Sequence, residues 1–273
     1  MADVSIHLPA DIFLDLNSGS AINKSALGST FSVNFTPPLT ISPLARNVSL
    51  SLIQGTFWWT IPNLVTSTLA IKFLVSGDNK YEETVQVTFP KGLYSYIEIN
   101  TAINDAVKGA GFEINSVVFR VNGATNRMVL VFEIPAEVTF DNSNVELATL
   151  LGFEAGAYRY QPTVPAYEDA VIEGQQIAAF DSVQYLTVAT NLVDLGFQLN
   201  GGVHTGVIAR IGIDAEAGYQ ILFQPTVPLE ISTNRLSEQG VTSATFTLMD
   251  QNGNLVDTNG QDWSLLLRIR YYI

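Results

Sequence analysis

Apolar and polar residues alternate in twos along most of this chain, and that period leaves few architectures open. Successive side chains of an extended strand point to opposite faces, so each alternating stretch reads as a strand with one dry face and one wet face. Such stretches are FSVNF (31–35), NVSLSLIQGTFWW (47–59), LAIKFLVS (69–76), ETVQVTF (83–89), SVVFRV (116–121) and MVLVFEI (128–134). A Pro-containing connector, YRYQPTVPAYED (158–169), is followed by AVIEGQQI (170–177), SVQYLTVATNL (182–192), HTGVIARIGI (204–213), YQILFQP (219–225), TSATFTLMD (242–250) and DWSLLLRIRYY (262–272). NGATNR makes a hairpin loop between the fifth and sixth stretches. Asn-Gly pairs at Asn200, Asn252 and Asn259 separate several later ones, supplying the positive φ that tight hairpins need.

The rhythm breaks at LYSYIEINTAINDAVKGAG (93–111), where Leu93, Ile97, Ala102 and Val107 share a stripe at roughly helical spacing and Gly109 and Gly111 supply a stop. NVELATLLGF (144–153) reads as a second, short helix with Asn144 as N-cap and Gly152 near its end. The order is strands, then a compact unit containing the helices, then strands again. The expected fold class is therefore all-β dominated: a single jelly-roll β-sandwich, residues 31–66 and 158–273, with an inserted small α+β domain at 67–157. Eight strands fall outside the insertion, 170–177 among them, which is the jelly-roll number. Residues 1–30 are acidic and polar at the start, and read as an N-terminal arm rather than a core strand.

QGTFWWTIPNL (54–64) poses a problem for a sheet with one wet face. In NVSLSL, Val48, Leu50 and Leu52 face inward, and Gly55 permits a bulge or bend. Beyond it Phe57 and Trp59 share the inner face while Trp58 takes the outer one. Either the inserted domain of the same chain covers Trp58, or a neighbouring subunit does, since aromatics are enriched at interface cores. With Trp263, which opens the final strand, these residues form the candidate domain or subunit interface: Phe57, Trp58, Trp59 and Trp263.

Composition narrows the function. Charged residues make up 14% of the 273 residues, against about 25% in ordinary soluble domains. That scarcity suggests a subunit whose flanks are covered by others. Thirteen Lys and Arg face 26 Asp and Glu, a net charge of −13 with no basic run. Phosphate contacts need a clustered basic face, so direct nucleic-acid binding is not expected, and an anionic membrane surface is disfavoured for the same reason. No apolar run approaches a membrane span and the N-terminus lacks a basic n-region, so neither membrane insertion nor a signal peptide is expected. The sequons at Asn23, Asn34 and Asn47 are then chance matches.

Nothing in the chain reads as catalytic. Cysteine is absent, and the two histidines, His7 and His204, have no base, acid or ligand partner at motif spacing. Glu82 and Glu83 are adjacent and point apart on a strand, and Glu168 and Asp169 border the connector. DQNGNLVDTNGQD (250–262) resembles a calcium loop, but glycine stands fourth from Asp250 rather than sixth, which fits two hairpin turns better. No enzyme, metal or cofactor is expected.

Six stretches taken in order carry a resemblance: FSVNFTPPLTI (31–41), NVSLSLIQGTFWWTIPNL (47–64), VTFPKGLYSYIEINTAIN (87–104), ELATLLGF (146–153), VQYLTVATNLV (183–193) and GQDWSLLLRIRYY (260–272). The series resembles the penton, or minor capsid, proteins of virophages and polinton-like viruses, from about Phe31 to the C-terminus. The resemblance implies a single jelly roll with an inserted domain. It also implies a homopentamer at the fivefold vertices of an icosahedral capsid, seated among trimers of a double jelly-roll major capsid protein. The protein would then be assembled in the infected host cell and found in the virion. A non-catalytic sandwich that binds carbohydrate or a receptor through exposed Trp and Tyr is the alternative, and a jelly-roll enzyme a more distant one.

Overall fold

The computed structural model describes residues 9–75, 81–161, 170–181, 183–193, 206–233, 236 and 240–273. The chain divides into two compact units: Met1–Ile61 with Val183–Ile273, and Pro62–Ser182.

The first unit is built from β1 (Pro9–Asn17), β2 (Asn23–Lys24), β3 (Thr30–Leu39) and β4 (Arg46–Trp58) before the second unit. After it come β12 (Tyr185–Thr190), β13 (Val207–Gly212), β14 (Gln220–Phe223), β15 (Ile231–Ser232), β16 (Val241–Met249) and β17 (Ser264–Tyr272). One sheet runs β1-β17-β4-β14, with β15 also on β4, and the other runs β13-β12-β16-β3-β2. Set β2 aside and count β14 with β15 as one strand: the first sheet then holds the first, eighth, third and sixth strands, and the second the fifth, fourth, seventh and second. That interleaving is the two-sheet Greek-key order of a jelly roll. Its core follows from alternation. Leu50, Leu52, Leu265, Leu267 and Ile269 of one sheet are buried, as are Phe31, Leu186, Val188, Phe246 and Leu248 of the other.

The strand class expected from alternation is the one observed, but its membership differs. Pro9–Asn17, taken from sequence as part of an arm, pairs in a nine-residue antiparallel ladder with β17, from Pro9 opposite Tyr272 to Asn17 opposite Ser264. Residues 1–8, including His7, lie outside the described residues, as do His204, Glu168, Asp169 and the Asn200–Gly201 turn. Conversely Ala170–Ile177, counted from sequence as a sandwich strand, pairs with the second unit instead.

That second unit contains β5 (Ser67–Val75), β6 (Tyr81–Phe89), α1 (Tyr96–Gly109), β7 (Val117–Val121), β8 (Arg127–Phe132), β9 (Ala136–Phe140), α2 (Val145–Leu151), β10 (Gly156–Tyr160) and β11 (Ala170–Ile177). Its antiparallel sheets, β10-β9-β5-β6 and β11-β8-β7, share one core with both helices. Ser95 and Glu98 close a capping box at the start of α1, satisfying backbone donors that would otherwise be orphaned. The buried stripe of α1 is Ile99, Ile103 and Val107. Ile97, placed in the stripe from sequence, is 61% exposed; the four-residue spacing of the other three, one helical turn apart, defines the face. Asn144 sits before α2 but makes no side-chain cap bond. Its amide donates instead to the Thr68 and Thr139 carbonyls and its oxygen accepts from the Asp141 N–H, so it ties β5 and β9 together.

The unit therefore begins at Pro62 and ends at Ser182, wider at both ends than the 67–157 expected from sequence. Replacing 62–182 with a short Gly/Ser linker should leave a cooperatively melting, β-rich sandwich, since all eight of its strands lie outside. Excising only 67–157 would leave β11 without β8 and should give an aggregating product. Circular dichroism and thermal melting of the two deletions check this.

Candidate subunit interface

The reading of QGTFWWTIPNL turns on where β4 changes phase. Opposite β17, Leu52 pairs with Leu267 and Gln54 with Leu266, so the extra residue is Ile53 rather than Gly55. A bulge places two residues against one. It carries the inner face from Val48, Leu50 and Leu52 over to Gly55, Phe57 and Trp59, and leaves Ile53 half-exposed. Gly55 has another task. A Cβ there would stand 2.5 Å from Cε2 of Phe57, so the missing side chain makes room for the Phe57 ring to lie back along its own strand. Gly55→Ala should therefore cost about 1–3 kcal/mol of overpacking, read as a lower melting temperature.

Three of the four candidate residues belong to the sandwich core. Phe57 is 1%, Trp59 7% and Trp263 2% exposed. The Trp263 ring stacks on Phe57 at 5.8 Å and meets Phe31 edge-on at 4.7 Å, and Phe31 lies 5.3 Å from Phe246. Side chains of both sheets thus meet in one aromatic column. The Trp263 indole N–H donates to the Gly28 carbonyl (2.9 Å), its backbone N–H to the Ser18 hydroxyl (3.0 Å), and its carbonyl accepts from the Ser18 N–H (2.9 Å). Every polar group that this large side chain brings inside is satisfied.

Trp58 is different. It faces outward opposite Gln220 of β14 and is 39% exposed. It is not isolated. On the outer face of the same sheet, Phe13 of β1 sits opposite Arg268, Leu266 of β17 opposite Asp15, and Leu222 of β14 opposite Thr56. Diagonal neighbours on adjacent strands lie about 7–8 Å apart, within reach of large side chains. Phe13, Leu266, Ile53, Leu222 and Trp58 therefore trace an apolar stripe across all four strands. Phe13 is 58% and Leu222 57% exposed. Sequence reading missed these two: Phe13 lay in the supposed arm, and Leu222 in a run, QILF, too short for alternation to say which of its faces is outward.

Beside the stripe stands a charged lattice. The Arg270 guanidinium donates to both oxygens of Asp11 (2.9 and 3.0 Å) and to Glu230 (3.3 Å), and Arg268 also donates to Glu230 (2.8 Å). The hydrogen bond from Arg270 holds the Asp11 carboxyl below the usual carboxylate range. Hydrogen bonds from Lys24 and then Ser18 do the same for Asp262, in the turn before Trp263. Both groups fasten N-terminal residues to the C-terminal strand. A depressed folded pKa contributes stability that is fully present above the unfolded value near 3.9 and is lost as pH falls through the folded one. The melting temperature should hold from neutral pH to about 5 and then fall below about 4. Asp11→Asn should flatten part of that fall, which a pH series of thermal melts measures.

The Asp250 carboxylate accepts from the Asn252 and Asn254 N–H groups, which makes the loop an Asx turn rather than a cation cradle. Among the described residues no group of three or more His, Asp or Glu side chains is placed to hold a metal, and no helix is long and apolar enough to cross a membrane. In the second unit a cleft of about 250 Å³ is lined by Asn63, Val145, Glu146, Thr149, Leu150 and Ala179. Of its polar lining residues, Asn63 donates to the Tyr94 and Phe180 carbonyls and accepts from the Tyr94 N–H, and Glu146 accepts from the Val65 N–H (3.4 Å).

Neither a family model nor a curated protein matches the chain. Among solved structures, the chain is similar to the selenomethionine-labelled mavirus penton protein, at 15% identity over 97% of this chain and 100% of that one, with a TM-score of 0.44. A structure of infectious bursal disease virus, Gx strain, follows at 12% identity over 98% and 72% of the two chains, with a TM-score of 0.12. The first is a penton protein, the kind that the ordered motif series resembles; at this identity and TM-score it is a likeness and assigns no family.

Proposed function

We propose that the chain is a structural subunit of a viral capsid, a penton that forms homopentamers at fivefold vertices among trimers of a double jelly-roll major capsid protein. The observation that carries this reading is topological. The chain itself has the strand order of a single jelly roll, with a second unit inserted between its third and fourth strands, the organisation that the motif resemblance implies. The motifs fall on the elements that build both units: FSVNF on β3, the double-tryptophan stretch on β4, Phe-Pro-Lys-Gly-Leu-Tyr between β6 and α1, and the Trp263 strand on β17. Low charge and an apolar stripe on a sheet face suit a molecule whose flanks meet other subunits. The side chains have a packing role rather than a catalytic one, and no cofactor enters it.

Purified particles test this. Antibody or gold label directed to the chain should mark fivefold vertices, and shells assembled without it should lack density there. Label spread over the shell faces, or none on intact particles, contradicts the proposal.

A further inference from the structure

Three Asn-Gly pairs lie among the described residues, and they differ in what holds them. Asparagine before glycine is the pair most open to self-modification, because no side chain on the glycine hinders its nitrogen from attacking the asparagine carboxamide. At Asn122–Gly123, in the loop between β7 and β8, the carboxamide is fixed at both ends. Its amide donates to Glu173 (3.0 Å) and its oxygen accepts from the Ala124 N–H (3.0 Å). At Asn252–Gly253 the attacking group itself is engaged, since the Gly253 N–H donates to the Asp250 carbonyl (3.1 Å).

Asn259–Gly260 has neither restraint. The Gln261 N–H donates to the Thr258 carbonyl (3.0 Å), and φ is +51° at Asn259 and +78° at Gly260, so the pair forms the centre of a type I′ turn. Both residues are exposed, and a Cβ on Gly260 would meet nothing within 4 Å. Asn259 is held through its backbone N–H, which donates to the Asp257 carboxylate (2.8 Å). Among the described residues no partner engages its carboxamide or the Gly260 N–H.

We propose that Asn259 is a site of spontaneous modification, converting to aspartate and isoaspartate through a succinimide. Hydroxide takes the Gly260 N–H proton, the nitrogen lone pair forms a bond to Cγ of Asn259, and the Cγ–Nδ2 bond breaks to release ammonia. Water then opens the ring. Hydrolysis at the Cγ carbonyl gives aspartate, and hydrolysis at the main-chain carbonyl gives isoaspartate, whose backbone runs through Cγ and is one atom longer. In sum, one water is consumed and one ammonia leaves. The lengthened turn lies between two fixed points: the Thr258 N–H donates to the Leu27 carbonyl (2.9 Å) and the Trp263 N–H to the Ser18 hydroxyl (3.0 Å). Conversion therefore loosens the seat of Trp263, the ring that joins the two sheets, and the sandwich weakens with the age of the chain.

Ageing the folded full chain in mildly alkaline heavy-oxygen water, followed by peptide mapping by mass, reads the label that enters each asparagine. Label should enter position 259 roughly fivefold or more faster than 122 or 252, the factor that giving up about one hydrogen bond represents. The aged parent should melt below the fresh one. Asn259→Gly keeps a residue that accepts positive φ but lacks the carboxamide, so it should lose less on ageing than the parent does. Conversion of Asn122 or Asn252 ahead of Asn259 overturns the inference. An equal fall in melting temperature on ageing of the parent and the Asn259→Gly chain overturns the link to Trp263.

Discussion

Trp263→Ala should cost about 3–5 kcal/mol, the range for removing a large buried aromatic, and lower the melting temperature of the sandwich by about 10 °C or more. The cost has three sources. The ring fills the space between Phe57 and Phe31, joining the sheets; its indole N–H is the partner of the Gly28 carbonyl; and its backbone fixes Ser18 at the end of β1. Trp263→Phe keeps the first and third but leaves a buried carbonyl unpaired, which costs about 1–3 kcal/mol. The order parent, Phe, Ala in thermal melts is the expected result. An Ala variant as stable as the parent would show that the column does not hold the sheets together. Trp59→Ala should resemble Trp263→Ala, whereas Trp58→Ala should leave the melt nearly unchanged and weaken assembly.

Gly152→Ala should be the most damaging small change in the second unit. Gly152 ends α2 with φ +78°, a region that side-chain-bearing residues avoid. A Cβ there would also stand 2.3 Å from the Gln176 carbonyl oxygen of β11. The Gln176 N–H donates to the Gly152 carbonyl at 2.9 Å, so the two backbones touch by design. Gly174 is tight for the same reason, with a Cβ 2.8 Å from the Gly152 oxygen. Since backbone rather than a flexible side chain is in the way, relief requires moving β11. A loss of several kcal/mol, on the order of 2–4, is expected from strain and clash together. Proteolysis should cut 62–182 in this variant while the sandwich survives.

These two glycines also explain why part of the fold escaped the sequence. Alternation in AVIEGQQI says strand but not which sheet, because its partners are β8 and Gly152, more than twenty residues earlier in the chain. The strand class itself was legible because period two is a local property of the backbone, and α1 because a 3.6-residue stripe is equally local. β1 was hidden by its wet face: Pro9, Asp11 and Asp15 gave the segment the look of a polar arm, although Ile12, Leu14 and Leu16 alternate with them. Its partner, β17, lies at the other end of the chain, and the Asp11–Arg270 pair spans 259 positions. Of the site, Trp58 was legible as an outward aromatic. The rest of the stripe was not, since its members come from four strands whose order no single window of sequence contains. Phe57, Trp59 and Trp263 show the converse: an aromatic-rich run marks burial, and the bulge at Ile53 decides which of its members remain outside.

A chain that works by packing against copies of itself shows it most directly in its mass in solution. Sedimentation equilibrium of the full 273-residue chain at neutral pH, across micromolar concentrations, should give a closed species of five chains that dissociates in the Leu222→Lys variant without unfolding. A folded monomer of the parent chain at every concentration would contradict the account.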